Sequence, residues 1–253
     1  VGDIDVLGTD FIANAQSITM TSGTTLNTAG NATFTALDAI SLETLTIGAD
    51  LDIDAVNLLE TTQGSVAFNS TVDALDIDVV SAHAVTLSGD LGATSFTADA
   101  GTSVTADMAI TLTTANAFDI TADSIDLTLA TVDAGSAVLK AQAGPLTVAA
   151  MTINTGSLEL RASGLLDMVG DIDVLGTDFI ADGQSITMTS GTTLNTAGNA
   201  TFTALDAISL ETLNIGGDLD VTAQNLSDRT QGSVGFNASV DTQAMKVLSA
   251  NGM

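Results

Sequence analysis

VGDIDVLGTDFIANAQSITMTSGTTLNTAGNATFTALDAISLETL, residues 1–45, is written a second time at 169–213 with two changes, Asn14→Asp182 and Ala15→Gly183. Val1 thus corresponds to Val169 and Leu45 to Leu213. Beyond that stretch the match loosens: 20 of the 40 positions from 46 to 85 are identical to those from 214 to 253. A repeat of this kind is read before any motif, because it makes the chain an array of stacked units. The expected organisation is one continuous array over residues 1–253, with 1–168 a full repeat unit and 169–253 the start of a second copy.

Within the repeat the local period is two. Asp3-Ile4-Asp5-Val6, Ser17-Ile18-Thr19-Met20-Thr21, Thr33-Phe34-Thr35, Asp50-Leu51-Asp52-Ile53-Asp54, Asp76-Ile77-Asp78-Val79 and Ile125-Asp126-Leu127-Thr128-Leu129 all alternate apolar with polar. Such alternation makes strands with one buried and one wet face. Thr, Val, Ile and Phe suit strands, and the Lys and Glu that clothe helices are scarce. Gly, Asn, Asp and Ser punctuate the strands, and the glycines are expected at bends with positive φ. The hairpin dipeptides Asn-Gly and Asp-Gly are nearly missing, which argues against a meander. Three short strands per turn predict an all-β parallel β-helix, a β-solenoid, with coils of roughly 20–24 residues.

The two copies compare the chain with itself. Asp54→Thr222 and Asp78→Lys246 are changes for a wet face, while Ile53→Val221, Ile77→Met245 and Val79→Val247 stay apolar. The same logic points Leu58 inward and Leu59, which becomes Ser227, outward. Phe11, Phe34 and Phe68 recur as Phe179, Phe202 and Phe236 and are expected in the core. Leu75→Gln243 breaks the pattern; either the strand starts one residue later or that end packs loosely.

Net charge is −27, with Lys140, Arg161, Arg229 and Lys246 the only cations. Nucleic acid and anionic membrane surfaces are poor partners for such a chain. No apolar run approaches the roughly 18 residues of a membrane helix, and no signal peptide is visible. Val1 stands in mid-pattern, as expected of a window on something longer. Cysteine is absent, so neither disulfides nor thiolate chemistry arise.

Gly2-Asp3-Ile4-Asp5-Val6, Gly30-Asn31-Ala32-Thr33-Phe34-Thr35-Ala36 and Gly217-Asp218-Leu219-Asp220-Val221 share a Gly-Asp/Asn opening followed by alternation. This pattern resembles the coil repeats of filamentous-haemagglutinin-like bacterial exoproteins and related giant adhesins. The resemblance implies a right-handed parallel β-helix and an extracellular or cell-surface location. It carries no functional residues with it.

Chemistry is sparse. His83, which becomes Asn251, reads as a bend or solvent-facing residue, and no triad, Walker loop, zinc spacing or EF-hand accompanies it. Paired carboxylates abound but look equivalent, unlike the divergent pair of a glycosidase. Asp3, Asp5, Asp50, Asp52, Asp54, Asp76, Asp78, Asp218 and Asp220 are the candidate metal-ligating residues. On neighbouring coils their charges would lie about 5 Å apart, and surface calcium would relieve that repulsion. A solvated acidic face that keeps an apolar solenoid soluble is the plainer account. A regular Thr ladder, as on an ice-binding face, is not expected, because Thr-x-Thr alternates with Asp-x-Asp.

The expected function is a structural, non-enzymatic extracellular rod or filament segment of a large repetitive surface protein. It would self-associate end to end or laterally, with calcium the one cofactor to consider. The alternative is a binding module whose lateral face takes a cell-surface glycan or protein partner.

Overall fold

The computed structural model describes residues 2–56, 64–224 and 232–250. They form an all-β parallel β-solenoid in which every strand pairing is made with the coil before or after it. The chain packs as two compact units. The first comprises Val1–Ala122 with Leu129–Thr131, and the second Asp123–Thr128 with Val132–Met253. Among the described residues no helix is long and apolar enough to cross a membrane.

Each coil has three faces. In unit 1 the coil that starts at Thr25–Thr28 continues through Ala32–Leu42, a strand that turns a corner and serves two faces. The next coil runs Thr44–Ile47, Leu51–Ala55 and Ser65–Phe68. Along the first face Ile4, Leu26, Leu45, Val72, Leu91 and Leu112 lie over one another, one per coil. In unit 2 Val132, Met151, Ile172, Leu194, Leu213 and Val240 do the same. The coils are unequal. Hydrogen bonds that span a single coil join Asn31 to Asp50, 19 apart in the chain, and Gly216 to Gln243, 27 apart. Coil length therefore varies more widely than the sequence predicts. Stacking fixes strand register, while a corner can lengthen without moving any rung. The long coils run from Leu45 to Val72 and from Leu213 to Val240. They contain the segments 57–63 and 225–231, which lie outside the described residues, as do the inward Leu58 and outward Leu59 expected from the sequence.

Alternation places one side chain of every pair in the lumen. Second-face columns in unit 1 are Leu51–Ile77–Phe96–Phe118 and Phe34–Ile53–Val79–Ala98–Ile120, all buried. Unit 2 repeats the arrangement with Leu160–Ala181–Phe202–Val221. Ring pairs on neighbouring coils are Phe11–Phe34, Phe96–Phe118 and Phe179–Phe202, with centroids 5.4, 5.3 and 5.3 Å apart. Burying one such ring contributes on the order of 1.5–3 kcal/mol. Phe34, Phe68, Phe179 and Phe202 are buried, whereas Phe11 and Phe236 are only partly so.

Leu75 resolves simply. Its strand, Asp76–Ser81, begins one residue later, and Leu75 sits at the corner half exposed. Gln243 likewise precedes its strand, Ala244–Ser249. Met245, expected to stay inside, is 53% exposed in the last described strand.

The glycines correct the expectation drawn from sequence. Among the described residues only Gly23, Gly64, Gly191 and Gly232 have positive φ. The others mostly mark close approach between coils: a Cβ on Gly89 would run into the Ser70 carbonyl, and one on Gly198 into that of Thr177. Gly64 meets both demands, with φ 90° and the Ala55 carbonyl where a Cβ would go. Its own carbonyl accepts a hydrogen bond at 2.5 Å from the buried Ser81 hydroxyl.

Candidate functional site

The chemistry-bearing residues stand on the outside of the coil in columns, one residue per rung. On the second face of unit 1 one column is Thr33–Asp52–Asp78–Thr97–Asp119, and beside it runs Thr35–Asp54–Val80–Asp99–Thr121. Among the described residues, strand register brings only one pair of the nine candidate aspartates face to face, Asp52 and Asp78. Partial burial, then the charge of Asp52 and more weakly that of Asp99, raises the Asp78 carboxyl above its ordinary value near 3.8, against an opposing hydrogen bond from the Val79 amide. A shallow groove lies here, lined by Thr33, Asp52, Asp54, Val56, Asp78 and Val80.

The other seven are held apart and partnered differently. Asp3 Oδ1 accepts from the Thr25 amide at 2.9 Å, and Asp5 Oδ1 from Asn27 Nδ2 at 2.7 Å. Asp54 faces Thr35 and Val80, and Asp76 faces Ser95. The amides of Asp50 and Asp218 donate to Asn31 Oδ1 at 3.1 Å and Asn199 Oδ1 at 2.9 Å. Asp220 faces Lys246, whose Nζ lies 3.0 Å from its carboxylate. Among the described residues no group of three His, Asp or Glu side chains converges to hold a metal ion. Calcium takes six to eight oxygens, so these residues do not make a closed calcium cage.

His83 lies at the bend between Asp76–Ser81 and Ala84–Leu87, partly buried. Its backbone carbonyl accepts from both the amide and the hydroxyl of Thr102 at 2.7 Å, and its Nδ1 is 3.4 Å from that hydroxyl. The Thr-x-Thr triplets do not stack on one another: Thr33 and Thr35 face Asp52 and Asp54, and Thr113 faces Gly92.

Sequence reasoning missed a set of polar side chains that tie coil to coil. Asp10 Oδ1 accepts from the Asn31 amide at 3.0 Å, and Asn31 in turn caps Asp50. In unit 2 Asp178, Asn199 and Asp218 make the same chain. On the first face Asn195 Nδ2 donates to Asp173 at 2.6 Å and Asn214 Nδ2 to Asn195 at 2.7 Å. The corner pairs Gln16–Asp38 and Gln184–Asp206 add a bond at 2.8 and 3.0 Å. A signal was present: Asp10, Asn31 and Asp50 recur at separations of 21 and 19, one coil each.

Comparison with known families, with curated proteins and with solved structures finds no match.

Proposed function

We propose that the chain is a segment of a structural, non-enzymatic, extracellular protein: a rod or filament of stacked coils within a large repetitive surface adhesin or fibre. The observation that carries this reading is that the repeat is in phase with the coil. Ile4, Leu26, Leu45 and Val72 stack on one face within unit 1, and their repeats Ile172, Leu194, Leu213 and Val240 stack in the equivalent register within unit 2. A repeat commensurate with the coil adds rungs without needing a new core or a new pocket. The resemblance to filamentous-haemagglutinin-like exoproteins supports the surface location. Self-association belongs to the same proposal, because a coil edge pairs with the edge of a like coil.

Calcium enters only as a counter-ion on the Asp-rich face, with Asp52 and Asp78 its best place, since their mutual repulsion is what a divalent cation would relieve. The test is electron microscopy and fibre diffraction of the purified chain, with calcium and then with chelator. Filaments with an axial spacing near 4.7–4.8 Å are expected; compact globular particles would overturn the reading. A melting temperature unchanged by chelator would remove calcium from it.

One observation favours the binding-module alternative. The coils from Leu45 to Val72 and from Leu213 to Val240 exceed their neighbours, and each carries an added segment, 57–63 or 225–231, between two strands. If these segments bind a cell-surface glycan or protein, replacing both with a short corner will abolish binding to whole cells while leaving the melting curve in place. Binding that survives the replacement would set the alternative aside.

A further inference from the structure

Asn69-Ser70-Thr71 and Asn237-Ala238-Ser239 occupy equivalent corners in the two copies. Both positions after the asparagine have changed, yet each triplet keeps the form Asn-x-Ser/Thr, an acceptor sequence for N-linked sugar. Chance supplies such triplets in a Ser- and Thr-rich chain. This one, however, survives two substitutions within a stretch where half the positions have diverged.

The surroundings suit an acceptor. Asn69 and Asn237 are exposed, as are Thr71 and Ser239. Backbone bonds pin each corner, from the Asn69 amide to Leu42 and the Leu45 amide to Thr71, and from Asn237 to Leu210 and Leu213 to Ser239. Among the described residues the carboxamides make one surface bond each, Asn69 Nδ2 to Ser41 Oγ at 2.8 Å and Asn237 Nδ2 to Ser209 Oγ at 2.9 Å. Each carboxamide has a second N–H beyond that bond, on an exposed residue. The Thr71 and Ser239 hydroxyls have no hydrogen-bond partner among the described residues, so packing does not explain why a hydroxyl is kept.

Two other triplets of this form differ. In Asn31-Ala32-Thr33 and Asn199-Ala200-Thr201 the asparagine caps the next coil, through Asp50 and Asp218, and the following alanine is fully buried. Those asparagines are committed to stacking.

We propose that Asn69 and Asn237 are acceptor sites for an N-linked sugar. In the transfer Nδ2 attacks the anomeric carbon of a sugar activated as a nucleotide or lipid diphosphate. The bond from that carbon to the phosphate oxygen breaks, the diphosphate leaves with the electron pair, and Nδ2 gives one proton to a base of the transferase. The chemistry needs only an exposed corner; its biological setting rests on the extracellular reading above.

The test expresses the full chain alone, with an N-glycosyltransferase that uses UDP-glucose, and with one that uses a lipid-linked oligosaccharide, followed by peptide mapping by mass spectrometry. Asn225-Leu226-Ser227, outside the described residues, is removed from every chain by Ser227→Ala. Sugar is expected on Asn69 and Asn237 and not on Asn31 or Asn199. Thr71→Ala should abolish it at Asn69, and Ser239→Ala at Asn237, with the melting curve unchanged. No modification by either transferase, or modification confined to Asn31 and Asn199, overturns the proposal. Filaments without sugar would sink this inference alone; sugar without filaments would sink the structural reading alone.

Discussion

Residues 2–45 and 170–213 differ at two positions, yet their first coils live in different surroundings. In unit 2 that coil lies on the strands Met151–Ile153, Leu158–Ala162 and Leu165–Met168. Ile172, Phe179 and Ile186 are then at most 1% exposed. In unit 1 the same residues, Ile4, Phe11 and Ile18, pair among the described residues with the strands of one coil, and Ile4 is 38% exposed. An apolar hollow opens there, lined by Ile4, Phe11, Ile18, Leu26 and Phe34 among others. Burial in a solenoid is a property of the rung above and the rung below, and a residue's identity decides only which way it points.

The largest effect that sharpens this comparison is in the lumen. Phe179→Ala should cost about 3–5 kcal/mol, and Phe11→Ala about half of that or less. Denaturant midpoints of the two variants, side by side, check it; equal losses would mean that local strand propensity outweighs stacking.

Glycine gives the next effect. Gly8 and Gly176 are the same residue of the repeat. A Cβ at Gly8 meets nothing within 4 Å, whereas at Gly176 it would overlap the backbone of Thr155 and Gly156 on the preceding coil. Gly176→Ala should destabilise by about 1–3 kcal/mol and Gly8→Ala by no more than about 0.5 kcal/mol. Thermal melts of both variants would read the difference.

Outside the coil the copies differ by charge. Asp52 faces Asp78, and the equivalent Asp220 faces Lys246. Because the Asp78 carboxyl is raised in the folded state, the stability tied to its proton is fully present below the unfolded value near 3.8 and is lost as pH rises through the higher folded value. At neutral pH the charged pair is a cost. Asp78→Lys should gain about 0.2–1 kcal/mol there, and Asp78→Asn should flatten that part of the pH profile. Melting temperatures measured from pH 3.5 to 7, a range set by the raised value above the roughly 3.9 of a free aspartate, provide the check. A variant less stable than the parent at pH 7 would show that the facing carboxylates are not in conflict.

Smallest of all is Lys246→Ala. Its side chain is 71% exposed, and a pair so placed is worth about 0–1 kcal/mol and is screened by salt. The loss should vanish at high ionic strength.

Much of this was legible in the residues. Alternation placed Ile53, Val79 and Phe34 inside and Asp54 and Asp78 outside, because a strand's period is two and each coil has one wet side. The long internal repeat announced stacking, and the dearth of hairpin turns pointed to a parallel coil. Less legible were the corners. The glycines read as φ-positive bends, but Gly89 and Gly198 are small because the preceding coil's carbonyl lies where a Cβ would go. The nine aspartates read as one class, whereas register leaves a single facing pair among them and hands Asp3 and Asp5 to neighbouring donors.

What the sequence determined by itself is the element type, the inward and outward parity and the period, since these follow from side-chain chemistry one strand at a time. What only the tertiary structure decided is which residue lies over which. The short coil from Leu26 to Leu45 and the long one from Leu45 to Val72 nevertheless place their residues in one column on the first face. Hence the facing of Asp52 with Asp78, the Asp10–Asn31–Asp50 chain and the exposure of Phe11 against Phe179 depend on the register of whole coils.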